Sequence, residues 1–471
     1  MLREKPNREP REGESTDAEH RGGAPRISDE GAVMAPERRG RIVQRNELVN
    51  HTGRNQLRNA KPFEVSRHAV MNAWYSVKNN HGAHGIDGQT IAEFEADLKN
   101  NLYKLWNRLS SGSYFPPAVR AVEIPKSNGK KRLLGIPTVA DRVAQTVVRN
   151  HFEPLADPYF HKDSYAYRSG KSALEAIEAT RKRCWQYDWV LEFDIKSAFD
   201  NIDHDLMLKA VCLHTACRWT RLYIKRWLKA PLERDGKAEA RDKGTPQGGV
   251  ISPLLFNLYL HYAFDGWMER NYPLVPFARY ADDGLLHCRT EREAIHLRKV
   301  IGKRLKSCGL ELHPEKTKIV YCRDANRKGR YPDTHFDFLG YTFRGRLAKS
   351  RQGRYFNSFS PALSNASAKR IRRQMRSWTL SRWTNANLQD IAEKVNASLR
   401  GWWNYYGAFY PSVFKRVLSH LNIILVKWVV RKYRRFKGSR LKAAKWLRAI
   451  AEREPGILYH WQLGIKPAVE Q

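Results

Sequence analysis

Two adjacent carboxylates, Asp282 and Asp283, stand inside "FARYADDGLLHC", a run whose other residues read as buried β-strand. Unpaired buried charge is costly, so such a pair is either an exposed turn or a place where cations offset it. A third carboxylate, Asp194, ends the apolar run of "VLEFDIKSAFDNIDHDL", just before Lys196 and Ser197, where a helix can begin. If "FARY" and "GLLHC" pair as strands with 281–283 at the tip, three aspartates converge from a hairpin and a strand end. Such a trio stays ionised only beside cations, and oxygen-only ligands select hard ions such as Mg2+. Two ions about 4 Å apart clamp the attacking and leaving oxygens in phosphoryl transfer. Standing alone, an Asp pair is more often a solvated turn, so the neighbouring motifs decide.

Two further segments carry candidate nucleotide contacts. "GTPQGGVISPLL" (244–255) sets Gln247 and two glycines before a Pro-containing helical start, where backbone can approach a nucleotide or template closely; as structure alone it is a loop and a helix start. "EIPKSNGKKRLLGIP" (123–137) reads as a hairpin turning at Asn128-Gly129. It presents Lys126, Lys130, Lys131 and Arg132, which either hold a triphosphate or form a solvated basic surface.

The rest of the chain must supply the scaffold. Its 471 residues, 42% hydrophobic and 11% aromatic, suffice for true cores and for two to four domains. Lys and Arg total 84 against 48 Asp and Glu, a net charge of +36, which points to a polyanionic partner, nucleic acid ahead of an anionic membrane. The apolar run "NIILVKWVV" is too short to span a bilayer and is broken by Lys427. No signal-type apolar segment opens the sequence, so the expected location is cytoplasmic. Six cysteines without a CxxC pair or clustered Cys/His spacing argue against a disulfide framework and against structural zinc.

Residues 1–60 carry twelve Lys/Arg and ten Asp/Glu with almost no periodic apolar residues, and read as a disordered mixed-charge arm. From about Pro62 to Arg346, short strand-like runs such as "AVEIP" and "WVLEFDI" alternate with helical ones such as "EREAIHLRKVIGKRLKSC", the pattern of an α/β or α+β body. After Arg346 the strand signals stop. Leu388, Ile391, Val395, Leu399 and Trp402 recur at three- and four-residue steps behind a cap at Asn387, and a second helix is expected from Val413 to about Tyr433. From Arg346 onward 26 Lys/Arg face five Asp/Glu, so a quarter of the chain carries more than half of the charge.

In this order and spacing, "GAHGIDGQTI", "IPKSNGKKRLLGIPTVADRVAQ", "DSYAYRSGKSA", "FDIKSAFDNIDH", "GTPQGGVISPLL", "RYADDGLLHC", "LELHPEKTKIVYC" and "FDFLGYTF" resemble the reverse transcriptases encoded by bacterial group II introns, the intron maturases. "LRGWWNYYG" (399–407) is similar to the maturase or thumb segment of that family. The resemblance implies Asp194, Asp282 and Asp283 as catalytic metal ligands for two Mg2+, with the backbone carbonyl of Ile195 as a further ligand. It implies Lys126 and Arg132 on the incoming dNTP, Phe199 as the bulky residue that excludes a 2'-hydroxyl, and Gln247 and Gly248 in the nucleotide pocket. Lys316 would stand near the phosphates as an acid, and Leu339 and Gly340 would support the primer end. Arg400, Trp402, Trp403, Tyr405 and Tyr406 would contact RNA, although at helical spacing at least two of the aromatics suit a core.

The implied fold is α+β, a right-hand polymerase: fingers and palm with a ferredoxin-like antiparallel sheet over 61–346, an all-α thumb or maturase domain over 347–425, and a basic DNA-binding helical tail over 426–471. The implied partners are group II intron RNA, an RNA template with a DNA primer, target DNA and dNTPs, with no membrane; the ribonucleoprotein would sit on the nucleoid. Many relatives end in a Cys/His-containing nuclease domain, and none is expected here. The sequence also departs from the family pattern: Ala166, Tyr167 and Ser169 replace glycine, phenylalanine and proline, "SAF" before Asp200 replaces a more aromatic run, and Gly284 follows the aspartate pair where a larger apolar residue is common. Two alternatives remain open: a catalytically silent RNA-binding maturase, and a domesticated reverse transcriptase used in defence or repair.

Overall fold

Three sheets carry the strands of the computed structural model, which describes residues 61–125 and 131–469. The arm 1–60 and the turn residues Lys126 and Lys130 lie outside the described residues. Strands β1 (Val119–Pro125) and β2 (Lys131–Ile136) pair antiparallel with Ile124 opposite Arg132, the ladder expected around the Asn-Gly turn. Strand β3 (Trp189–Asp194) follows, then β4 (Leu232–Arg234), which lies parallel to β1, and β5 (Lys237–Glu239), giving the order β2-β1-β4-β5 in the first sheet.

The second sheet joins β3 to β6 (Phe277–Tyr280), β7 (Asp283–Cys288) and β8 (Lys318–Tyr321) in the order β6-β7-β3-β8, every neighbour antiparallel. Helices separate β3 from β6, and the helix Glu291–Ser307 separates β7 from β8, so the connectivity is the ferredoxin-like β-α-β-β-α-β. Strand alternation sends Leu191, Phe193 and Leu286 into one core, with the helices Val139–Ala156 and Ser252–Leu260. Val190, Ala278, Leu285 and Val320 enter a second core on the opposite face, with the helix Ala173–Gln186. Both faces are therefore covered.

Gly284 and Phe193 are cross-strand partners in this sheet, and a Cβ on Gly284 would stand 2.1 Å from the Phe193 ring. The unusual glycine after the aspartate pair thus has a steric cause: the volume that a larger residue would fill is taken by the aromatic across the ladder.

Strands β9 (His335–Phe338), β10 (Tyr341–Lys349) and β11 (Tyr355–Leu363) build the third sheet, ordered β11-β10-β9. They correct the expectation that strand structure stops at Arg346 and that the region from 347 is all-α. Nine cross-strand pairs carry the β10–β11 ladder from Tyr341–Leu363 to Lys349–Tyr355, and helices take over only at Asn365. The signal was weak because the distal half of this hairpin is rich in Arg, Lys, Ser and Asn and is held by pairing, not by an apolar run.

The helices Asn365–Ser377, Leu388–Tyr406, Pro411–Lys432 and Arg440–Arg453 complete the chain's larger elements. Asn387 caps the second of them as expected: its side chain accepts from the Gln389 and Asp390 N–H groups, and Asp390 returns a bond to the Asn387 N–H. The helix expected from Val413 begins at Pro411 and ends at Lys432. It runs unbroken through the expected thumb–tail division at 425/426. Asn422 within it binds the Ile465 carbonyl, the Trp461 indole and His460, so the tail shares the second core with the helices before it. No described helix is long and apolar enough to cross a membrane.

Gly284→Val is expected to destabilise the fold by about 1–3 kcal/mol or more through overpacking. Phe193→Ala should lessen the penalty of the valine, a coupling that a double-mutant cycle on denaturant midpoints would show as strong non-additivity.

Candidate active site

Strands β3 and β7 place Asp194 directly opposite Asp283, and β6 and β7 close on a two-residue turn that sets Tyr280 opposite Asp283. Ala281 takes a φ of +57° in that turn, which leaves Asp282 at the tip. The hairpin expected from the sequence is therefore present, and it brings the three aspartates together. Asp194 is almost fully buried, and its carboxylate is ion-paired with the Lys316 ammonium.

Burial, and after it the repulsion of like charges, sets the electrostatics of the cleft. Burial and then the Asp282 and Asp194 charges push the Asp283 carboxyl up to about 7, although its outer edge is open to solvent and Lys316 pulls the other way. Burial and Asp194 likewise raise Asp282, against Lys316 and Arg132. Glu192, two residues back on the same face of β3, is pushed up to about 8, by burial first and then by Asp337, Asp283 and Asp194. Burial lowers Lys316, but its bond to Asp194 and the charges of Asp194, Asp283 and Asp282 outweigh that, so the ammonium holds its proton strongly. A pocket of about 150 Å³ lies beside these groups, lined by Glu192, Asp194, Asp283, Lys316, Lys318 and Asp337.

Among the described residues no group of three or more His, Cys, Asp and Glu side chains is arranged to enclose a metal ion, and Lys316 occupies one oxygen of Asp194. The donor chemistry nevertheless fits a hard divalent cation: the candidate ligands are all oxygens, and the raised proton affinities of Asp282 and Asp283 record, beside burial, negative charge that a cation would offset. Ile195 is buried and bridges Leu312, so its side chain belongs to the core and only its backbone is available as a ligand.

Arg279 holds the turn from beneath. Its guanidinium is 1% exposed and pairs bidentately with the fully buried Asp265 at 2.7 and 2.6 Å. It also donates to Ser164 Oγ at 2.8 Å and to the Ala281 carbonyl at 3.1 Å. The β6 backbone in turn pairs with the 163–165 segment, where the Arg279 N–H donates to the Asp163 carbonyl and its carbonyl accepts from Tyr165. This brings Tyr167 (φ +56°) toward the site, where Asp282 raises and Arg132 lowers its hydroxyl pKa, after burial as the largest cause. Sequence reading passed over Arg279 and Asp265. A cation inside an otherwise apolar strand, immediately before the aspartates, was the available signal.

The remaining expected residues divide. Arg132 lies close enough to Asp282 and Tyr167 to affect both, on the exposed end of β2; Lys126 lies outside the described residues. Gln247 reaches Asp200 at 3.5 Å, and its carbonyl accepts from the Gly135 N–H at 2.8 Å. Gly248 adopts φ +120°, and a Cβ there would stand 2.6 Å from the Gly135 carbonyl oxygen, so this loop lies backbone to backbone against β2. Phe199 stacks on Phe256 with centroids 4.0 Å apart and planes 6° from parallel.

Leu339 and Gly340, with φ +50° and +79°, form the tight turn between β9 and β10. The Tyr405 hydroxyl donates to the Leu339 carbonyl at 2.7 Å, and the Tyr406 hydroxyl lies where a Cβ on Gly340 would meet it at 3.0 Å. Tyr405 and Tyr406 therefore brace this turn. Trp402 stacks on Trp378 at 5.6 Å and Trp403 on Phe414 at 6.1 Å, while Arg400 is exposed beside the Tyr459 ring. The expected RNA-facing aromatics are thus packed on protein, Tyr406 fully and the others in part.

Two family models match this chain: reverse transcriptase (RNA-dependent DNA polymerase) over residues 124–343, and group II intron, maturase-specific domain over residues 368–446. Protein YkfC of Escherichia coli is 34% identical over 302 residues, a match covering 55% of this chain and 76% of that protein. Group II intron-encoded protein LtrA of Lactococcus lactis is 35% identical over 192 residues, covering 40% of this chain and 32% of LtrA. The putative COX1/OXI3 intron 1 protein of Saccharomyces cerevisiae is 24% identical, covering 78% of this chain and 52% of that protein. The chain thus spans three quarters of the first of these relatives, but a third and a half of the others.

Without divalent ion, folded Asp283 keeps its proton up to about pH 7, whereas an unfolded aspartate loses it near pH 4. The stability tied to that extra proton is present below pH 4 and is lost as pH rises through 7. Asp283→Asn should therefore gain on the wild type between pH 5 and pH 7.5 in ion-free denaturant melts; a constant difference would contradict the assignment. Arg279→Met, which strands Asp265, is expected to cost roughly 3–5 kcal/mol, and Arg279→Met/Asp265→Leu to recover most of it.

Proposed function

The chain belongs to the group II intron reverse transcriptase and maturase family, and on that premise we propose that it copies RNA into cDNA and binds its intron RNA to assist splicing and mobility. One observation carries the catalytic half of this reading: the β3–β7 register that sets Asp194 against Asp283, with Asp282 at the adjoining tip. In the proposed reaction the primer 3'-hydroxyl gives up its proton to water, its oxygen forms a bond to the α-phosphorus of a dNTP, the bond from that phosphorus to the α–β bridging oxygen breaks, and pyrophosphate leaves.

Asp194, Asp282, Asp283 and the Ile195 carbonyl would hold two Mg2+, whose chemistry is to stabilise charge on the attacking and leaving oxygens. Lys316, kept protonated by the aspartates around it, would donate to the departing phosphate. Arg132, with Lys126 from the same hairpin, would meet the triphosphate of the incoming nucleotide. The flat stack of Phe199 on Phe256 makes a rigid wall suited to excluding a 2'-hydroxyl. Gln247 and Gly248 would line the nucleotide pocket, fixed against β2, and the Leu339–Gly340 turn would support the primer end.

The binding half rests on charge. From Arg346 onward the chain carries 26 Lys/Arg and five Asp/Glu, and phosphate contacts of that number give strong, salt-sensitive affinity for RNA and for target DNA. In this proposal 61–346 act as fingers and palm, the helices up to 425 as thumb and maturase domain, and 426–469 as the DNA-binding part of the same helical body. The protein would work as a ribonucleoprotein in the cytoplasm, on the nucleoid.

Mg2+-dependent extension of a DNA primer on an RNA template with dNTPs is expected for the wild type and to fall at least a thousandfold in Asp282→Ala/Asp283→Ala. No extension by either protein, with tight salt-sensitive RNA binding retained, would replace the polymerase with a binding-only maturase.

A further inference from the structure

The β10–β11 hairpin lies mostly between the two matched segments, which end at 343 and resume at 368. Its root is fixed. The Trp185 indole donates to the Phe359 carbonyl at 2.9 Å, the Ala325 N–H donates to the Asn357 carbonyl at 2.9 Å, and the Tyr410 hydroxyl donates to the Leu347 carbonyl at 2.7 Å. Arg346 donates to the Thr342 and Ser360 carbonyls and lies over the Tyr410 ring. Beyond these anchors the ladder continues outward to the 350–354 turn, closed by the Ser350 N–H on the Arg354 carbonyl at 2.8 Å. At about 3.3 Å per residue, the nine residues of β10 set that tip roughly 30 Å from the Leu339–Gly340 turn, at the opposite end of the strand.

The chemistry of the tip is unlike that of its root. Tyr355 is 67% exposed and Phe356 44%, and the side chain of Leu347, on the last anchored rung below them, is 62% exposed. Tyr355 and Leu347 share one face of the ladder with Lys349, while Phe356 lies on the other. Lys349 lies over the Tyr355 ring at 5.5 Å, and Arg351 and Arg354 flank the turn. No Asp or Glu occurs anywhere from 338 to 389, a stretch holding eleven Lys and Arg. So one-sided a charge matches a polyanion, and an RNA backbone supplies negative charge at regular spacing. Exposed aromatic faces interleaved with cations, on a hairpin that itself carries no carboxylate, suit unstacked nucleobases whose backbone phosphates pass within reach.

We propose that the hairpin tip, through Tyr355 and Phe356 with Lys349, Arg351 and Arg354, is a docking finger for an unpaired loop or single-stranded segment of RNA, separate from the strand entering the catalytic cleft. The bases stack on the exposed rings and the cations take the phosphates. The buttressed root means that the finger is held out before RNA arrives, so little ordering opposes binding. This inference rests on the RNA-binding half of the proposed function and adds where one contact is made.

The test uses the full chain, its Tyr355→Ala/Phe356→Ala form and its Arg351→Gln/Arg354→Gln form, all at exposed positions. Each is titrated with a 40-nucleotide RNA hairpin carrying a ten-nucleotide loop, and with a fully paired RNA duplex of equal length. The aromatic variant is expected to bind the looped RNA about tenfold more weakly and the duplex within twofold of wild type. The arginine variant should lower the dependence of log affinity on log salt by about 2 for the looped RNA. Primer extension on a short linear template should stay within twofold in both, which separates the finger from the cleft. Looped-RNA affinity and salt slope equal to wild type in both variants would overturn the finger while leaving RNA binding in place. Equal loss on loop and duplex would show a general phosphate surface and overturn the proposed base stacking. Failure of the wild type itself to bind either RNA would sink the parent reading along with this one.

Discussion

A single buried cation, Arg279, fixes the ground on which the acidic cluster stands. Its pairing with Asp265 is enclosed by protein, and the spare donors go to Ser164 and to the Ala281 carbonyl of the turn. A buried ion pair is poor evidence for stability, since desolvation cancels most of its attraction; its value lies in geometry that no apolar pair could impose. Here it ties four chain segments to one point: the 163–165 strand segment, the helical region at 257–265, β6 itself and the turn that bears Asp282. The ladder between β3 and β7 then adds Asp194 in register.

The carboxylates held by that frame oppose their surroundings. In a chain of net charge +36, Asp194, Asp282, Asp283, Glu192 and Asp337 gather at one cleft, and the proton affinities of Asp282, Asp283 and Glu192 rise because burial, and after it the neighbouring carboxylates, make each of those charges costly. Such concentration works against the folded state and is found where chemistry needs it. Lys316 and Lys318 relieve part of it at close range, Arg132 from the neighbouring sheet. The wider cationic surface brings a polyanion near, and the acidic cleft then decides which part of it can come closest.

Much of this was legible in the sequence, and the reasons differ from place to place. The hairpin at 277–288 was readable because short apolar runs flank an abrupt polar turn, and the helix behind Asn387 because a capping residue precedes a clean three-four periodicity. The β10–β11 ladder was missed because its outer residues face solvent on both sides, leaving no alternation to see. Arg279 was missed because one buried cation has no periodicity at all. The aromatics at 402–406 were legible only as a choice, at least two of them suiting a core: a cluster of Trp and Tyr reads equally as a stacking surface or as a brace, and only the partners decide. Tyr405 and Tyr406 close on the Leu339–Gly340 turn, and Trp402 and Trp403 find rings on neighbouring helices.

The facing pair Phe193 and Gly284 carries a consequence for descent. Each residue is acceptable only because of the other: the ring needs the missing side chain, and the missing side chain would leave a void without the ring. Placing a bulky residue beside the aspartates in one step must cross a clash inside a two-sided core, at an overpacking cost of about 1–3 kcal/mol or more. Shrinking position 193 first avoids the clash but passes through a loosened sheet. The pair therefore works as a ratchet next to the three aspartates: a bulkier residue at 284 fits only with something smaller than phenylalanine across from it.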